Sequence, residues 1–443
     1  MSAELGWSPY ENGVLLSAFF WGYFLGNAPG GLLASKIGGK PVLMVSCSVQ
    51  CLLSLASPVV ARWGFYQFFI LRFIVGLLQG PLYPCTQTIL VAWLSPEERA
   101  RGNSIMDSGS YWGAAFALGI GNVLQNNLGS WDKVFYAYAA VIGVYVVLMW
   151  FRMQSYPGQE EEEEAPYQLV EVANERADDA GKASVPWKEL FLNRAAFAAI
   201  VAPLSMNWGN YMFLTNLPKY AQEELHFNLS DGSKSGILVI PYLCCWVFGL
   251  ASAFGADHFI QTGAMSITTV RKLFQTLAST LACVSLVLLA TTSDSTVVIL
   301  LLCVIISSCG IGASGSTASP MDLSKQYAGL IKGVANSIGT IGGCAAPILV
   351  GYMLQNGGCP SDETFKVNRS IALVQAESAS CKSAWNWLFY IAAFISFLGG
   401  LCFLLFASGE PIVLSRDNHK AQVGDTAYQV FDGEEGEQRV GNA

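Results

Sequence analysis

Eleven long apolar segments run through this sequence, and they restrict the chain to one class of fold. Each segment is close to the roughly 20 residues that cross a bilayer as a helix. The 443-residue chain is 53% hydrophobic and only 13% charged. Because lipid cannot satisfy backbone amide groups, each segment must be helical, and the alternating pattern of a membrane barrel is absent. The sequence therefore predicts an all-α protein that crosses the membrane many times.

The apolar segments form a group of five and a group of six, separated by a long polar stretch. We predict spans at residues 13–34, 41–62, 65–94, 103–127 and 133–152, and then at 194–220, 234–258, 271–292, 296–318, 327–355 and 385–408. This grouping predicts four regions: an N-terminal bundle at 1–152, a cytoplasmic acidic linker at 153–192, a C-terminal bundle at 193–408, and a disordered cytoplasmic tail at 409–443.

Short basic loops set the predicted orientation. The loops SKIGGK, SPEERARG, TTVRK and DLSKQYAGLIK all fall on one side by parity. Loops rich in Lys and Arg are typically cytoplasmic, so we assign this side to the cytoplasm, together with the linker and the tail. An odd number of spans then places the N-terminus outside, although it has no basic region of a signal peptide. We therefore expect a further helix before residue 1.

Two loops predicted to lie on the non-cytoplasmic side have features of proteins that pass through the secretory pathway. The sequons at Asn228 and Asn368 fall in these loops and are candidate glycosylation sites. The loop with Asn368 also contains Cys359 and Cys381, the only cysteine pair in an extended polar segment, so these two residues are candidates for a lumenal disulfide.

Several classes of protein are excluded by what the sequence lacks. The net charge of -8 comes mostly from the linker and the tail, so nothing supports nucleic-acid binding. The cysteines show no metal-ligand spacing, and no cofactor or metal is expected. A phosphate-binding loop of the GxxxxGK[ST] type is absent, which argues against an ATP-driven pump. Catalysis is not expected, because His226, His258 and His419 lie at predicted helix ends or in the tail.

The segment GGLLASKIGGKPVL, at residues 30–43, resembles the loop between helices two and three of the major facilitator superfamily. Gly31, Lys36, Gly38 and Lys40 match this gating motif, whereas Ser35 stands where the motif usually has an aspartate. A tight basic loop on the cytoplasmic side would explain part of the same pattern without a gating role.

Five further blocks, in order between residues 7 and 410, resemble the anion:cation symporter family. This family includes sialin, the vesicular glutamate transporters and related phosphate transporters. The blocks are SAFFWGYFLGNAPGG, GLLQGPLYPCTQTILVAWLSPEERAR, MNWGNYMFLTNLPKYAQEELHF, QYAGLIKGVANSIGTIGG and WNWLFYIAAFISFLGG. The resemblance implies two six-helix bundles that hold a substrate between them near the midplane, and the first helix of that pattern would precede this chain.

Arg72 lies inside the apolar segment at 65–94, about 10 Å from its outer end. A charge facing lipid at that depth costs several kcal/mol, so the guanidinium should face a cavity or a partner, or its long stem should snorkel to the outer surface. Gly76, Gln79 and Tyr83 follow on the same helical face. The resemblance favours a cavity, because related transporters keep an arginine here for the substrate anion or the gate.

Other polar residues in the spans are candidates for lining the same cavity. The substrate-binding candidates, besides Arg72, Gln79 and Tyr83, are Tyr23, Asn27, Asn207, Tyr211 and Asn336, with Thr215 and Thr340 on the same helical faces. Hydrogen bonding between helices is the alternative for each of them. We interpret Asp107, near a cytoplasmic helix end, as structural.

The sequence also departs from the family pattern in ways that bear on the substrate. Family members typically carry carboxylates at the positions of Val75 and Gln79, so the sequence predicts little dependence on a proton gradient. The histidine and the arginine of the glutamate transporters align with Leu16 and with residues 205–207, which disfavours glutamate.

These patterns together predict a monomeric secondary transporter of an organic anion or inorganic phosphate, with H⁺ or Na⁺ as a possible coupling ion. The alternative is a transport-inactive or truncated relative that acts as a sensor or has no function. The tetrapeptides at 167–170 and 428–431 fit a sorting pattern for endosomes, so a plasma-membrane or an endomembrane location is compatible with the sequence.

Overall fold

The structure is a computed structural model that describes residues 2–93, 99–152, 192–225, 227, 236–324, 328–357, 359 and 371–412. Within these ranges the chain is helical and forms no strand. The N-terminal helices are α1 (Ser2–Leu5), α2 (Pro9–Ile37), α3 (Gly39–Trp63), α4 (Phe65–Gln79), α5 (Leu82–Trp93), α6 (Arg99–Leu128) and α7 (Trp131–Arg152). The C-terminal helices are α8 (Arg194–Glu223), α9 (Ile240–Gln261), α10 (Ile267–Thr291), α11 (Ser295–Gly312), α12 (Ser319–Leu323), α13 (Ala328–Asn356) and α14 (Ile371–Phe406).

These helices make eleven passes in the described part of the chain, because α4 with α5 and α11 with α12 each form one pass. Gly80 and Pro81 interrupt the first of these, and a π-helical segment at Ala313–Thr317 joins the second. Eight described helical passes are long and apolar enough to cross a bilayer by length and composition. The other three long helices are α2, α6 and α8, which carry the polar residues Asn27, Asp107 and Asn207. The predicted all-α membrane fold is confirmed.

Several helix boundaries differ from those predicted. The predicted loop at 30–43 is mostly helical, since α2 continues to Ile37 and only Gly38 separates it from α3. Gly38 has a φ of 88°, a backbone conformation that glycine adopts without a steric penalty, so one residue is enough to reverse the chain. The last helix begins at Ile371 rather than at residue 385. The linker at 153–191 and the tail beyond residue 412 lie outside the described residues.

Glycines allow α2 and α4 to pack with their backbones almost in contact. A Cβ atom at Gly76 would lie 1.9 Å from the carbonyl oxygen of Phe19, and one at Gly22 would lie 1.9 Å from that of Phe73. Small residues at such positions let membrane helices approach closely, where dispersion contacts and weak polar contacts replace the hydrophobic effect. Gly76 therefore serves helix packing and does not line a cavity.

The two bundles meet at the outer ends of α2 and α13, where "outer" means the end predicted to face away from the cytoplasm. A Cβ atom at Gly13 would lie 2.3 Å from the carbonyl oxygen of Pro347 and 3.2 Å from the Cα of Gly351. The backbone N–H of Tyr10 donates to Oε1 of Gln355 at 3.2 Å. These contacts close the outer side between α2 and α13.

A second contact between the bundles joins α6 and α9. Trp112 on α6 and Trp246 on α9 pack edge to face, with their ring centroids 5.3 Å apart. Aromatic pairs favour this geometry, since the positive ring edge meets the negative ring face.

A disulfide joins Cys359 to Cys381 near the outer end of the C-terminal bundle. Beside it, the indole N–H of Trp385 donates to Oε2 of Glu223 at 3.1 Å. Asn228 and Asn368, the two sequon residues, lie outside the described residues.

An ion pair connects helices at the inner end of the C-terminal bundle, the end predicted to be cytoplasmic. Arg271 on α10 donates to Asp322 on α12 at 2.7 Å and also to the carbonyl oxygen of Ser314 at 2.9 Å. Both side chains of the pair are largely buried. The arginine therefore bridges α10, the π-helical segment and α12.

Candidate functional site

Arg72 lies on α4 against the neighbouring helix α2. Its guanidinium carbon is 5.9 Å from the ring centre of Phe19, within the range of a cation–π contact. The ion pairs among the described residues are Arg62–Asp132, Lys219–Glu223 and Arg271–Asp322, so none of them involves Arg72. A partly buried guanidinium without a carboxylate partner is unfavourable unless an anionic ligand supplies the counter-charge or water solvates the group.

Three polar side chains form a cluster next to Phe19. Tyr23 stacks on Phe19 with ring centroids 6.0 Å apart, and its phenol lies near the side chains of Asn27 and Asn336. Asn27 is only 5% exposed, and its Nδ2 has no hydrogen-bond partner. We call Tyr23, Asn27 and Asn336 the polar cluster. Since Asn336 belongs to α13, the polar cluster joins the two bundles.

Two further predicted residues approach from α8 of the C-terminal bundle. Tyr211 packs on Phe20, with ring centroids 4.7 Å apart, and its phenol lies near that of Tyr23. The Nδ2 of Asn207 would lie 2.6 Å from a Cβ atom built at Gly339, so Asn207 packs directly on α13. The structure thus gathers Arg72, the polar cluster, Tyr211 and Asn207 from four helices of both bundles.

Gln79 and Tyr83 are not part of this group in the structure. They lie on either side of the helix interruption at Gly80 and Pro81, and both are half-buried. Within the described part of the chain, neither side chain makes a hydrogen bond to Arg72 or to the polar cluster. The helical face that the sequence predicted from Arg72 to Tyr83 is therefore interrupted at Gly80 and Pro81, where Pro81 has no amide hydrogen to donate.

Two threonines on the predicted faces bond within their own helices. The hydroxyl of Thr215 donates to the carbonyl oxygen of Tyr211 at 2.7 Å, and that of Thr340 donates to the carbonyl oxygen of Asn336 at 2.8 Å. Such bonds to the preceding turn satisfy the hydroxyl locally. These bonds lie within one helix, so they are not the hydrogen bonds between helices that were the alternative to a cavity role.

Two charged residues, Lys332 and Asp107, influence each other electrostatically, although the sequence did not indicate either of them as a site residue. Lys332 lies on α13 one turn before Asn336, and its charge interacts with that of Asp107 on α6. The sequence places Lys332 in a basic loop and predicts a structural role for Asp107. The spacing of four residues between Lys332 and Asn336 is the signal that could have revealed the lysine.

The described residues contain one group with the composition of a metal site, formed by Glu223, Cys359 and Cys381. The two cysteines are bonded to each other, so their sulfur atoms are not thiolate ligands. This group therefore does not fit a metal ion.

Comparisons with known proteins agree with this architecture. The sequence model of the Major Facilitator Superfamily matches residues 1–347. The chain is 28% identical over 93% of its length to "Probable anion transporter 4, chloroplastic" of Oryza sativa subsp. japonica, of which it spans only 65%. It is 30% identical over 91% of its length to "Probable anion transporter 5" of Arabidopsis thaliana, of which it covers 89%. It is 28% identical over 92% of its length to "Vesicular glutamate transporter 2" of Homo sapiens, of which it spans 66%.

Solved structures show the same fold at low sequence identity. A bacterial homolog of the human lysosomal transporter Spinster, in an inward-facing and occupied conformation, superposes with a TM-score of 0.66 at 14% identity, over 92% of both chains. A D-xylose-proton symporter superposes with a TM-score of 0.63 at 12% identity, over 91% of this chain and 89% of that one. At these identities the likeness concerns the fold alone.

Proposed function

This chain belongs to the Major Facilitator Superfamily, and from that premise we propose that it is a secondary active transporter that carries a small anion across the membrane by alternating access. The relatives named as anion transporters support the substrate class. The alternative, a transport-inactive sensor or a non-functional product, is not favoured by these relatives.

Arg72 is the observation that carries the proposal. Its guanidinium is half-buried and has no carboxylate partner among the described residues, and it lies beside a polar cluster to which both bundles contribute. A guanidinium binds a carboxylate or a phosphate through two parallel hydrogen bonds. We assign Arg72 to the anion, and Tyr23, Asn27, Asn207, Tyr211 and Asn336 to the polar lining around it. The contact with Phe19 supports this role over snorkelling to the outer surface.

Gln79 and Tyr83 complete the proposed lining from beyond the helix interruption. Gly31, Lys36, Gly38 and Lys40 form the proposed gate at the inner ends of α2 and α3. The single-residue connection at Gly38 supports this role, since it would make α2 and α3 move together. We propose that the regions at 1–152 and 193–408 are the two bundles that rock against each other, and that the closed α2–α13 contact is one end of that motion.

The proposed substrates are inorganic phosphate and organic anions other than glutamate. The relatives include a sodium-dependent phosphate transport protein and an ascorbate transporter of Arabidopsis thaliana. Glutamate is disfavoured because Leu16 and residues 205–207 lack the charged side chains that the glutamate transporters have at these positions. The proposed carrier is a monomer, and its coupling ion is H⁺ or Na⁺.

Uptake into vesicles tests this function. The purified chain, reconstituted in liposomes, should take up labelled phosphate or ascorbate faster than glutamate, and an excess of the unlabelled anion should compete. Empty liposomes prepared in parallel serve as the control. Uptake of none of the three anions above that control would refute the proposal.

Glycosylation tests the proposed orientation independently. Produced in a secretory pathway, the chain should migrate faster in gels after endoglycosidase treatment, because Asn228 and Asn368 are predicted to face the lumen. The double variant Asn228→Gln/Asn368→Gln should show no shift. Detection of the C-terminal tail on the outer surface of intact cells would contradict the orientation.

A further inference from the structure

Two adjacent phenylalanines in α2, Phe19 and Phe20, pack in different directions. Phe19 lies within the N-terminal bundle, where its ring meets the guanidinium of Arg72. Phe20 lies against the C-terminal bundle and packs on Tyr211 of α8, with ring centroids 4.7 Å apart. Only 7% of Phe20 is exposed. A large apolar side chain of one bundle is therefore buried against the other bundle.

The ring of Phe20 lies directly on the backbone of α13 at Gly343. A Cβ atom at Gly343 would lie 2.7 Å from Cγ and 2.9 Å from Cε1 of Phe20, distances at which carbon atoms overlap. The neighbouring Gly342 serves another contact, since a Cβ atom there would lie 3.1 Å from the Cα of Trp208 on α8. We call the backbone surface at Gly343 the seat of Phe20, because it exists only where α13 has no side chain.

The contact between Phe20 and its seat lies between the outer surface and the polar cluster. Gly13 of α2 packs against Pro347 of α13 near the outer end. Phe20 follows seven residues later, about 10 Å farther inward, and packs against Gly343. Tyr23 of the polar cluster is three residues farther inward still. The seated ring thus extends the outer contact between α2 and α13 as far as the polar cluster.

Phe19 connects the seated ring to Arg72. The rings of Phe19 and Phe20 meet edge to face, with centroids 5.2 Å apart, and the guanidinium carbon of Arg72 is 5.9 Å from the ring centre of Phe19. The backbone of Phe19 is held in turn by its close approach to Gly76 of α4. The seated ring is therefore next to the guanidinium that we assign to the anion.

We propose that Phe20 is a latch whose ring, when it lies on the seat at Gly343, holds the outer side of the anion site closed. Its contacts with Gly343 and Tyr211 exist only while the two bundles meet on the outer side, so they stabilise that state relative to one in which α2 and α13 have separated. An anion that enters from the outer side reaches Arg72 only after the ring has left its seat. This inference rests on the proposed anion transport.

Ser17 offers a position at which to measure this closure. It is three residues closer to the outer end than Phe20, on the face of α2 that carries Gly13 and Phe20, and it is only 1% exposed. The reporter substitution Ser17→Cys changes the size of the side chain little. In full-length protein purified in detergent, a water-soluble maleimide should react slowly at this position. Protein with Ser17 intact measures the background from the native cysteines.

Phe20→Ala should raise the rate of maleimide reaction in the reporter protein about ten-fold or more, because the closed state loses the aromatic contact and the buried ring. Gly343→Ala should raise the rate to a similar extent, since the added methyl group displaces the ring from its seat. Gly333→Ala is the matched control on α13. A Cβ atom there would meet nothing within 4 Å, so the rate should stay at that of the reporter protein.

The double variant Phe20→Ala/Gly343→Ala tests whether the two residues act through one contact. When Phe20→Ala is already present, adding Gly343→Ala should change the rate by less than about two-fold, because the methyl group meets no ring. Two independent effects would multiply instead to about a hundred-fold. Phe20→Leu keeps an apolar side chain on the seat and should give an intermediate rate, and it replaces Phe20→Ala if the alanine variant does not fold.

Two results would overturn the latch. One is a rate in Phe20→Ala, or in Phe20→Leu where it takes its place, equal to that of Gly333→Ala. The other is an effect of Gly343→Ala that persists in full when Phe20 is replaced. Failure of the proposed function has a separate signature, since wild-type protein in liposomes would then exchange neither labelled phosphate nor ascorbate, whatever the maleimide rates. Size-exclusion chromatography in detergent establishes that each variant is folded.

Discussion

Arg72→Gln is expected to abolish anion uptake almost completely while the protein still reaches the membrane. Removing the charged partner of an anion from a partly desolvated site costs about 2–4 kcal/mol, a loss of roughly thirty-fold to a thousand-fold in affinity. The glutamine keeps a polar side chain of moderate length but has no charge to offer. Uptake of labelled phosphate or ascorbate into liposomes at several concentrations measures the change.

Arg72→Lys and a matched control separate the roles of charge and geometry. The lysine variant should recover only part of the uptake, because an ammonium has no planar pair of donors for a carboxylate or phosphate. Arg62→Gln is the control, since Arg62 forms an exposed ion pair with Asp132 at 3.2 Å at the outer end of α3. Exposed pairs contribute little, so Arg62→Gln should transport normally. Uptake by Arg72→Gln at the level of Arg62→Gln would assign Arg72 to a structural role.

Gly76→Leu is expected to destabilise the N-terminal bundle strongly. A Cβ atom at residue 76 would lie 1.9 Å from the carbonyl oxygen of Phe19 and 2.9 Å from the backbone nitrogen of Tyr23. These are backbone atoms, which cannot rotate away, so α2 and α4 must separate. Such overpacking should lower the free energy of unfolding by about 3 kcal/mol or more. Thermal unfolding in detergent, followed by the loss of monodisperse protein, measures this effect.

Gly113→Ala is the matched control for this experiment. Gly113 is also a helical glycine, but a Cβ atom added there would meet nothing within 4 Å. The substitution should leave stability unchanged or raise it slightly, because alanine loses less conformational freedom in a helix than glycine does. If Gly76→Leu unfolded at the same temperature as Gly113→Ala, the close contact between α2 and α4 would be wrong.

The sequence by itself determined the fold class and the number of passes. A span is a local property, since about 20 apolar residues must form a helix wherever lipid surrounds them. Arg72 could be identified from local sequence in the same way. A charge inside an apolar segment is costly in lipid, so it needs a polar partner or a cavity that its neighbours in sequence do not provide. The ordered blocks of family resemblance likewise required no knowledge of contacts.

Helix boundaries could not be predicted with the same accuracy. The continuation of α2 to Ile37 and the interruption at Pro81 depend on backbone hydrogen bonds and on helix packing, and hydropathy reports neither of these. Thr215 and Thr340 looked like cavity residues because their spacing fits a helical face. The structure shows their hydroxyls bonded to the preceding turn, which spacing alone cannot distinguish from a ligand contact.

Only the tertiary structure decided which helices meet. It placed Asn336 of α13 near Tyr23 of α2, across more than 300 residues of sequence. It also showed that Gly76 packs against Phe19 although the sequence placed it on the face of Arg72. Contacts between bundles follow from the shapes and small residues of many helices at once, and no local pattern in one helix specifies its partner.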